Sequence, residues 1–314
     1  MRTQHDAENN IYWAFMHTID QSRPCCSWPL VEDAIALQRL VRTQTLAQRE
    51  NGVVPFTHLV IASDAPVFNL GGDLELFARC IRRRDRETLL RYALLCVEGV
   101  AGLQDIAAGS VHSIAVVQGD ALGGGLELAL ACNTFIAEEG VQMGFPEVLF
   151  GLFPGMGAFS FLRRRTSAMR AQRMVLNGQR YKAEELYELG IVDVLVPRGE
   201  GLAAARRLVQ NHRRAPLAHQ AVNRVYQRYE SVPIKELQDI TTEWVDSAMA
   251  LGERGVRTIE RVVQAQSRRF LGNASPRRSC RRRAVSFDQS VQSPLSRLEA
   301  IVLETGGFPT VALG

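Results

Sequence analysis

The chain has 314 residues, enough for one large domain or two modest ones, and its 46% hydrophobic and 22% charged content is that of a globular protein. No apolar run approaches the roughly 18 residues of a membrane span, and no apolar segment follows a basic one at the start, so neither membrane insertion nor a signal peptide is expected. The net charge of +4 is local: seven arginines and no acid lie between Arg268 and Arg283, the rest is net acidic, and a nucleic-acid partner is not expected.

In chain order, residues 11–17 are rich in aromatics and predict a strand. Residues 22–29 read as a turn with two prolines. Residues 30–48 carry Val31, Ala34, Ile35, Leu37, Leu40 and Val41 at helical spacing. The short apolar run 57–63 lacks alternation and suits a buried strand. A glycine loop, Gly71-Gly72, follows at a strand end; Asp73 is expected to cap the next helix rather than to act in catalysis. Residues 89–107 form a long amphipathic helix pattern, which leads into a strand at 114–118.

Next comes Ala121-Leu122-Gly123-Gly124-Gly125-Leu126-Glu127. Three glycines at a strand-to-helix junction let backbone approach a ligand and turn N–H groups outward. Glu127 falls in the first helical turn beside them, so amides and an acid together suit an acyl carbonyl and a proton transfer. A satisfied helix start is the alternative reading. After a strand at 134–137, Glu147 stands among Phe145, Val148, Leu149 and Phe150, company that would raise its pKa and let it carry a proton at neutral pH. Repeated strand, glycine turn and helix indicate an α/β fold with sites at the carboxyl ends of strands.

Residues 170–189 read as helical, and 183–193 as helix, glycine stop and strand. Helices are expected at 202–211 and 217–229, and apolar positions at helical spacing continue through 235–269. From Phe270 the pattern ends, and residues 270–314 are expected to be a disordered basic tail, although an arginine cluster can bind RNA or acidic surfaces. Six cysteines without a C-x-x-C pair read as reduced thiols in a cytoplasmic protein. Six histidines without ligand spacing predict no metal, and no cofactor is expected. A Ser-His-Asp site through Ser110, His112 and Ser113 lacks a nucleophile elbow.

Three segments in this order, Phe68-Asn69-Leu70-Gly71-Gly72-Asp73-Leu74, then Gly119-Asp120-Ala121-Leu122-Gly123-Gly124-Gly125-Leu126-Glu127-Leu128, then Phe145-Pro146-Glu147 with Leu152-Phe153-Pro154-Gly155-Met156-Gly157, resemble the crotonase (enoyl-CoA hydratase/isomerase) superfamily over roughly residues 11–268. Within it the chain is most similar to the bacterial diffusible signal factor synthases, which make cis-2-unsaturated fatty acids for cell-to-cell signalling. The resemblance implies a crotonase-type spiral core over residues 1–200, a helical cap and oligomerisation region over 201–269, and a homotrimer or hexamer. It also implies the amides of Leu70 and Gly124 as oxyanion donors, with Glu127 and Glu147 as the catalytic pair, Glu147 taking the α-proton and Glu127 serving the hydroxyl. Gly155 is implied to hold the reactive water. Gly71, Gly72, Gly123, Phe145, Leu149, Phe153, Gly155 and Met156 are expected around a long acyl chain, carried on acyl carrier protein or CoA. A dehydratase that also releases the free acid is the first expectation, and an ordinary enoyl-CoA hydratase the second. A binding homologue acting through RNA or a membrane sensor partner is the third.

Overall fold

The computed structural model describes residues 1–18, 23–51 and 56–271. β1 (Arg2–Asp6) and β2 (Ile11–Phe15) pair antiparallel. β1 is an edge strand with no apolar run, which is why only β2 was legible as a strand. α1 (Trp28–Glu50) begins with Pro29 in its first turn, where proline's fixed φ and missing N–H cost nothing. The chain then repeats one unit three times: a strand of a large sheet, a short strand of a small sheet, a glycine or proline turn, and a helical segment. The first unit is β3 (Thr57–Ala62), β4 (Val67–Asn69) and α2 (Leu74–Arg83), with α3 (Arg86–Gln104) after it. The second is β5 (Val111–Val117), β6 (Asp120–Leu122) and α4 (Gly124–Ala131). The third is β7 (Thr134–Glu138), β8 (Gln142–Gly144) and a 3-10 turn (Pro146–Phe150).

After these come α5 (Ala158–Arg165), α6 (Ala168–Leu176), β9 (Arg180–Lys182), α7 (Ala183–Glu188) and β10 (Val194–Val196). Helices α8 (Gly201–His212), α9 (Pro216–Tyr229), α10 (Ile234–Met249) and α11 (Glu253–Leu271) complete the described chain. The large sheet has the order β1-β2-β3-β5-β7-β10, parallel from β2 onward, and the small sheet β4-β6-β8-β9. This is an α/β fold, as the alternating pattern implied. Parallel strands covered on both faces need apolar residues throughout, and Val60, Ala62, Ile114, Ala115, Val116, Val117 and Ile136 are all sealed from water.

Several boundaries differ from the periodicity. The expected helix at 170–189 is two helices with β9 between them, because β9 adds to the small sheet beside β8. The strand expected within 191–193 lies at Val194–Val196, after Asp193 has turned to accept the Phe135 amide at 2.7 Å. The pattern over 235–269 breaks at Leu251-Gly252, giving α10 and α11. Asp73 caps α2 as expected, accepting the amides of Glu75 at 3.2 Å and Leu76 at 3.1 Å. The expectations for the basic tail beyond Leu271 lie outside the described residues.

The small sheet decides where chemistry is possible. β4, β6 and β8 are adjacent and parallel, so their carboxyl ends stand in a row. The turns that leave those ends are Leu70–Asp73, Gly123–Gly125 and Phe145–Glu147. Three motifs separated by some fifty and twenty residues of sequence thus meet at one edge.

Candidate active site

Glycine is required where these turns touch. Gly71 has φ +95°, and a Cβ there would lie 2.9 Å from the Leu122 carbonyl oxygen and 3.2 Å from the Gly124 nitrogen. A Cβ on Gly125 would lie 2.2 Å from the Asn69 carbonyl oxygen, and one on Gly124 3.5 Å from the Gly72 nitrogen. The first turn is held from behind. Asn69 Oδ1 accepts the Gly71 amide at 2.8 Å. The buried Tyr92 hydroxyl accepts the Asp73 amide at 3.1 Å and donates to the Cys26 carbonyl.

The amide expected at Leu70 does not serve as an oxyanion donor: it donates to the Pro24 carbonyl at 2.8 Å. The Gly71 amide is likewise taken by Asn69. The N–H groups of Gly72 and Gly124 find no acceptor among the described residues, and both glycines line the same cavity. The two free amides at this edge are therefore those of Gly72 and Gly124, where the motif implied Leu70 and Gly124.

The two carboxyls differ in their partners. Glu127, 1% exposed, places Oε1 at the N-terminus of α5, where it accepts the amides of Met156 at 2.8 Å and Ala158 at 2.9 Å. Burial raises its pKa to about 7, while the two amides oppose that rise. Glu147 leaves the 3-10 turn toward Gly123, close enough that a Cβ on Gly123 would lie 2.2 Å from its Oε1. Its Oε2 is enclosed without a partner among the described residues. Burial, and then the nearby charge of Glu127, push its pKa up to about 8.

A cavity of about 370 Å³ opens on this pair, a size common for ligand sites. Of the expected lining, Leu70, Gly71, Gly72, Gly123, Gly124, Glu127, Glu147, Leu149, Gly155 and Met156 surround it. Phe145 does not: it is fully buried in the main core, on the same side of β8's extension as Met143. Phe153 does not either, since it lines a shallow surface groove with Phe159 and Met169. The Gly155 carbonyl accepts the Thr241 hydroxyl at 2.7 Å, and Trp244 packs where a Cβ on Gly155 would stand. Periodicity gave no sign of the remaining wall, which comes from Phe77, Cys96, Trp244 and the α11 residues Val262 and Ala265.

The Ser110-His112-Ser113 alternative is no catalytic site. His112 bonds Asn223 and Thr134, and Ser113 donates to the Leu103 carbonyl, away from the cavity lining. His112 instead packs edge-on or tilted against Phe56, His58 and His212, with His219 beyond His212. Burial lowers the pKa of His112 to about 3 and of His212 to about 4, so these two rings are neutral packing elements at ordinary pH. Among the described residues, no group of three His, Cys, Asp or Glu is arranged to hold a metal, and no helix is long and apolar enough to cross a membrane.

Residues 43–249 match the family model described as Enoyl-CoA hydratase/isomerase. A curated relative, the glyoxysomal fatty acid beta-oxidation multifunctional protein MFP-a of Brassica napus, is 35% identical over 150 residues. Those residues are 48% of this chain and 20% of that protein, so the match spans about a fifth of the relative's length. Among solved structures, an enoyl-CoA hydratase from Bacillus halodurans has a TM-score of 0.68 at 17% identity, covering 83% of this chain and 100% of its own. At that identity the likeness is one of fold. DspI of Pseudomonas aeruginosa has a TM-score of 0.58 at 26% identity, over 78% of this chain and 87% of its own.

Proposed function

This chain belongs to the enoyl-CoA hydratase/isomerase family, and from that premise we propose that it binds an acyl thioester and adds water to, or removes it from, the C2–C3 bond. The amides of Gly72 and Gly124 hold the thioester oxygen. Charge that collects there as C2 becomes enolate-like is stabilised by donors already in position, each worth about 10²–10³ in rate. The thioester's carrier lies toward the cavity mouth, where Arg180 is exposed at the rim.

The proton inventory favours one direction from rest. Two amides stabilise the anion of Glu127, whereas Glu147 has only its own backbone amide and an Oε2 without a partner among the described residues. With about one proton between them near neutral pH, the principal form is ionised Glu127 with protonated Glu147. In that form Glu127 takes a proton from water as its oxygen bonds to C3. The C2–C3 π electrons move toward the thioester oxygen, and the returning pair at C2 takes the proton of Glu147. Elimination is the reverse and starts from the minor form, with the proton on Glu127 and Glu147 as the base. The roles implied by the sequence are those of elimination.

One observation carries the reading: two enclosed carboxyls with unequal hydrogen bonding share a cavity with two unpartnered amides. Incubating the protein with crotonyl-CoA and following loss of the enoyl thioester tests it. Absence of turnover with enoyl thioesters of every length would overturn it.

A second, finer reading is favoured by the apolar wall around the acyl position and by the resemblance of the Phe-Pro-Glu segment. A 3-hydroxyacyl thioester, on carrier protein or CoA, is dehydrated to a cis-2-enoyl group. A water deprotonated by a glutamate then attacks the thioester carbon, and the thiol leaves with that proton. Free cis-2-enoic acid released from a 3-hydroxyacyl carrier-protein substrate supports this; an intact enoyl thioester as sole product overturns it.

A further inference from the structure

A second void of about 50 Å³ lies deeper in the molecule, between α1, α3 and the strands β2 and β3. Its wall is almost wholly apolar and includes Ala34, Leu37, Leu59, Gly99, Val100 and Leu103. The one amide side chain there, Gln38, is already used, donating to the Gly99 carbonyl at 2.9 Å. An apolar void holds no water worth keeping and forfeits packing contacts, so an unfilled one is a cost to the fold unless something occupies it.

The void adjoins the catalytic cavity. Cys96 and Met156 belong to the walls of both. Met156 is unbranched and adaptable, and its loop is tied through its own amide to Glu127. A thioester gripped by Gly72 and Gly124 directs its acyl chain into the outer cavity, whose apolar side is Phe77, Cys96 and Trp244. We propose that the inner void is the end of the acyl channel, reached past Cys96 and Met156, and that its walls set the longest chain accepted. This rests on the thioester reading above and names the substrate class within it: acyl groups too long for the outer cavity alone.

Gly99 offers a direct test. A Cβ there would make only ordinary contacts, 3.6 Å from Val31 and 3.8 Å from Ile35, so a larger side chain can grow into the void. In Gly99→Leu, and from the opposite wall in Ala34→Leu, the ratio of kcat/KM for trans-2-dodecenoyl-CoA to that for crotonyl-CoA should fall at least about tenfold, the equivalent of one fully lost apolar anchor. An unchanged ratio, with both substrates still turned over, overturns the proposal and leaves the thioester reading intact. Wild-type protein that turns over neither substrate overturns the thioester reading and this inference with it. Should both variants fail to fold, a crystal of Glu147→Gln with dodecenoyl-CoA decides: a chain end beyond Cys96 supports the channel, and one curled in the outer cavity overturns it.

Discussion

Glu127 Oε1 accepts the Met156 amide at 2.8 Å, so the acid at the start of α4 is fastened to a loop that walls both cavities. The same oxygen holds Ala158 at the first turn of α5. A glutamine at 127 can still accept both amides but can no longer exchange a proton. Glu127→Gln should therefore keep its fold and lose about 10²–10⁴ in kcat, the usual range for a removed general acid or base. Glu147→Gln should fall by a similar factor. Steady-state turnover of crotonyl-CoA, with circular dichroism as the fold check, measures both. Full activity in either variant would remove that residue from the mechanism.

Hydration needs Glu127 ionised and Glu147 protonated. With pKa values pushed to about 7 and about 8, kcat/KM should rise as Glu127 loses its proton and fall as Glu147 does. The profile should be a narrow bell whose limbs belong to the pair rather than to either residue alone. In Glu147→Gln the residual rate should retain the acid limb and lose the alkaline one. A flat profile from pH 6 to 9 in the wild type would contradict the raised pair.

The fold and the two acids were readable because each leans on local pattern. Glycines follow apolar runs, and Glu127 and Glu147 stand at fixed offsets beyond them. Which amide of the first turn stays free was not readable in this way. Leu70 is excluded by the Pro24 carbonyl, contributed by a segment far upstream, and no motif reports which amides a distant carbonyl has consumed. β6 and β9 are three residues each, too short for alternation to register. Phe145 and Phe153 looked like pocket residues because they neighbour Glu147 and Gly155 in sequence. Strand alternation sends Phe145 to the core beside Met143, and the turn before α5 leaves Phe153 half-buried, packed behind the cavity wall and lining an outer groove. His212 of α8 meets His58 of β3 and His112 of β5 across long stretches of sequence that no local spacing reports.

The contact between the first two turns leaves no room for a side chain at Gly71. Gly71→Ala must adopt φ near +95° and also move its Cβ off the Leu122 oxygen and the Gly124 nitrogen, both backbone atoms. Strain of this kind costs about 1–3 kcal/mol. Relief requires β4 and β6 to part at their ends, which misaligns the two donor amides, and the rate should drop more than tenfold for a shift of even about 1 Å. Gly140→Ala is the control. Its φ is +76° but nothing lies within 4 Å of the added carbon, so it should lose about 1 kcal/mol of stability from the backbone alone and none of the activity. Equal activity losses in the two variants would argue against the cradle.

Burying Glu127 also gives the folded protein a pH dependence that its replacement should erase. Its carboxyl is raised from an ordinary 4.5 to about 7 on folding, so between those values the native state binds more protons than the unfolded chain. Stability must then fall as pH rises through that window and level off above it. A shift of this size corresponds to at most about 3–4 kcal/mol at 1.4 kcal/mol per pKa unit. Glu147 extends the decline toward pH 8, since its raised carboxyl behaves with the same sign. Glu127→Gln carries no proton to lose. Measured by urea unfolding, the variant should therefore gain on the wild type progressively from pH 5 to about pH 7 and then level off, by up to about 3–4 kcal/mol, while its kcat stays reduced. A stability difference that stays constant across that range would mean that Glu127 is not held above its ordinary pKa, and the resting proton arrangement derived from it would have to be abandoned.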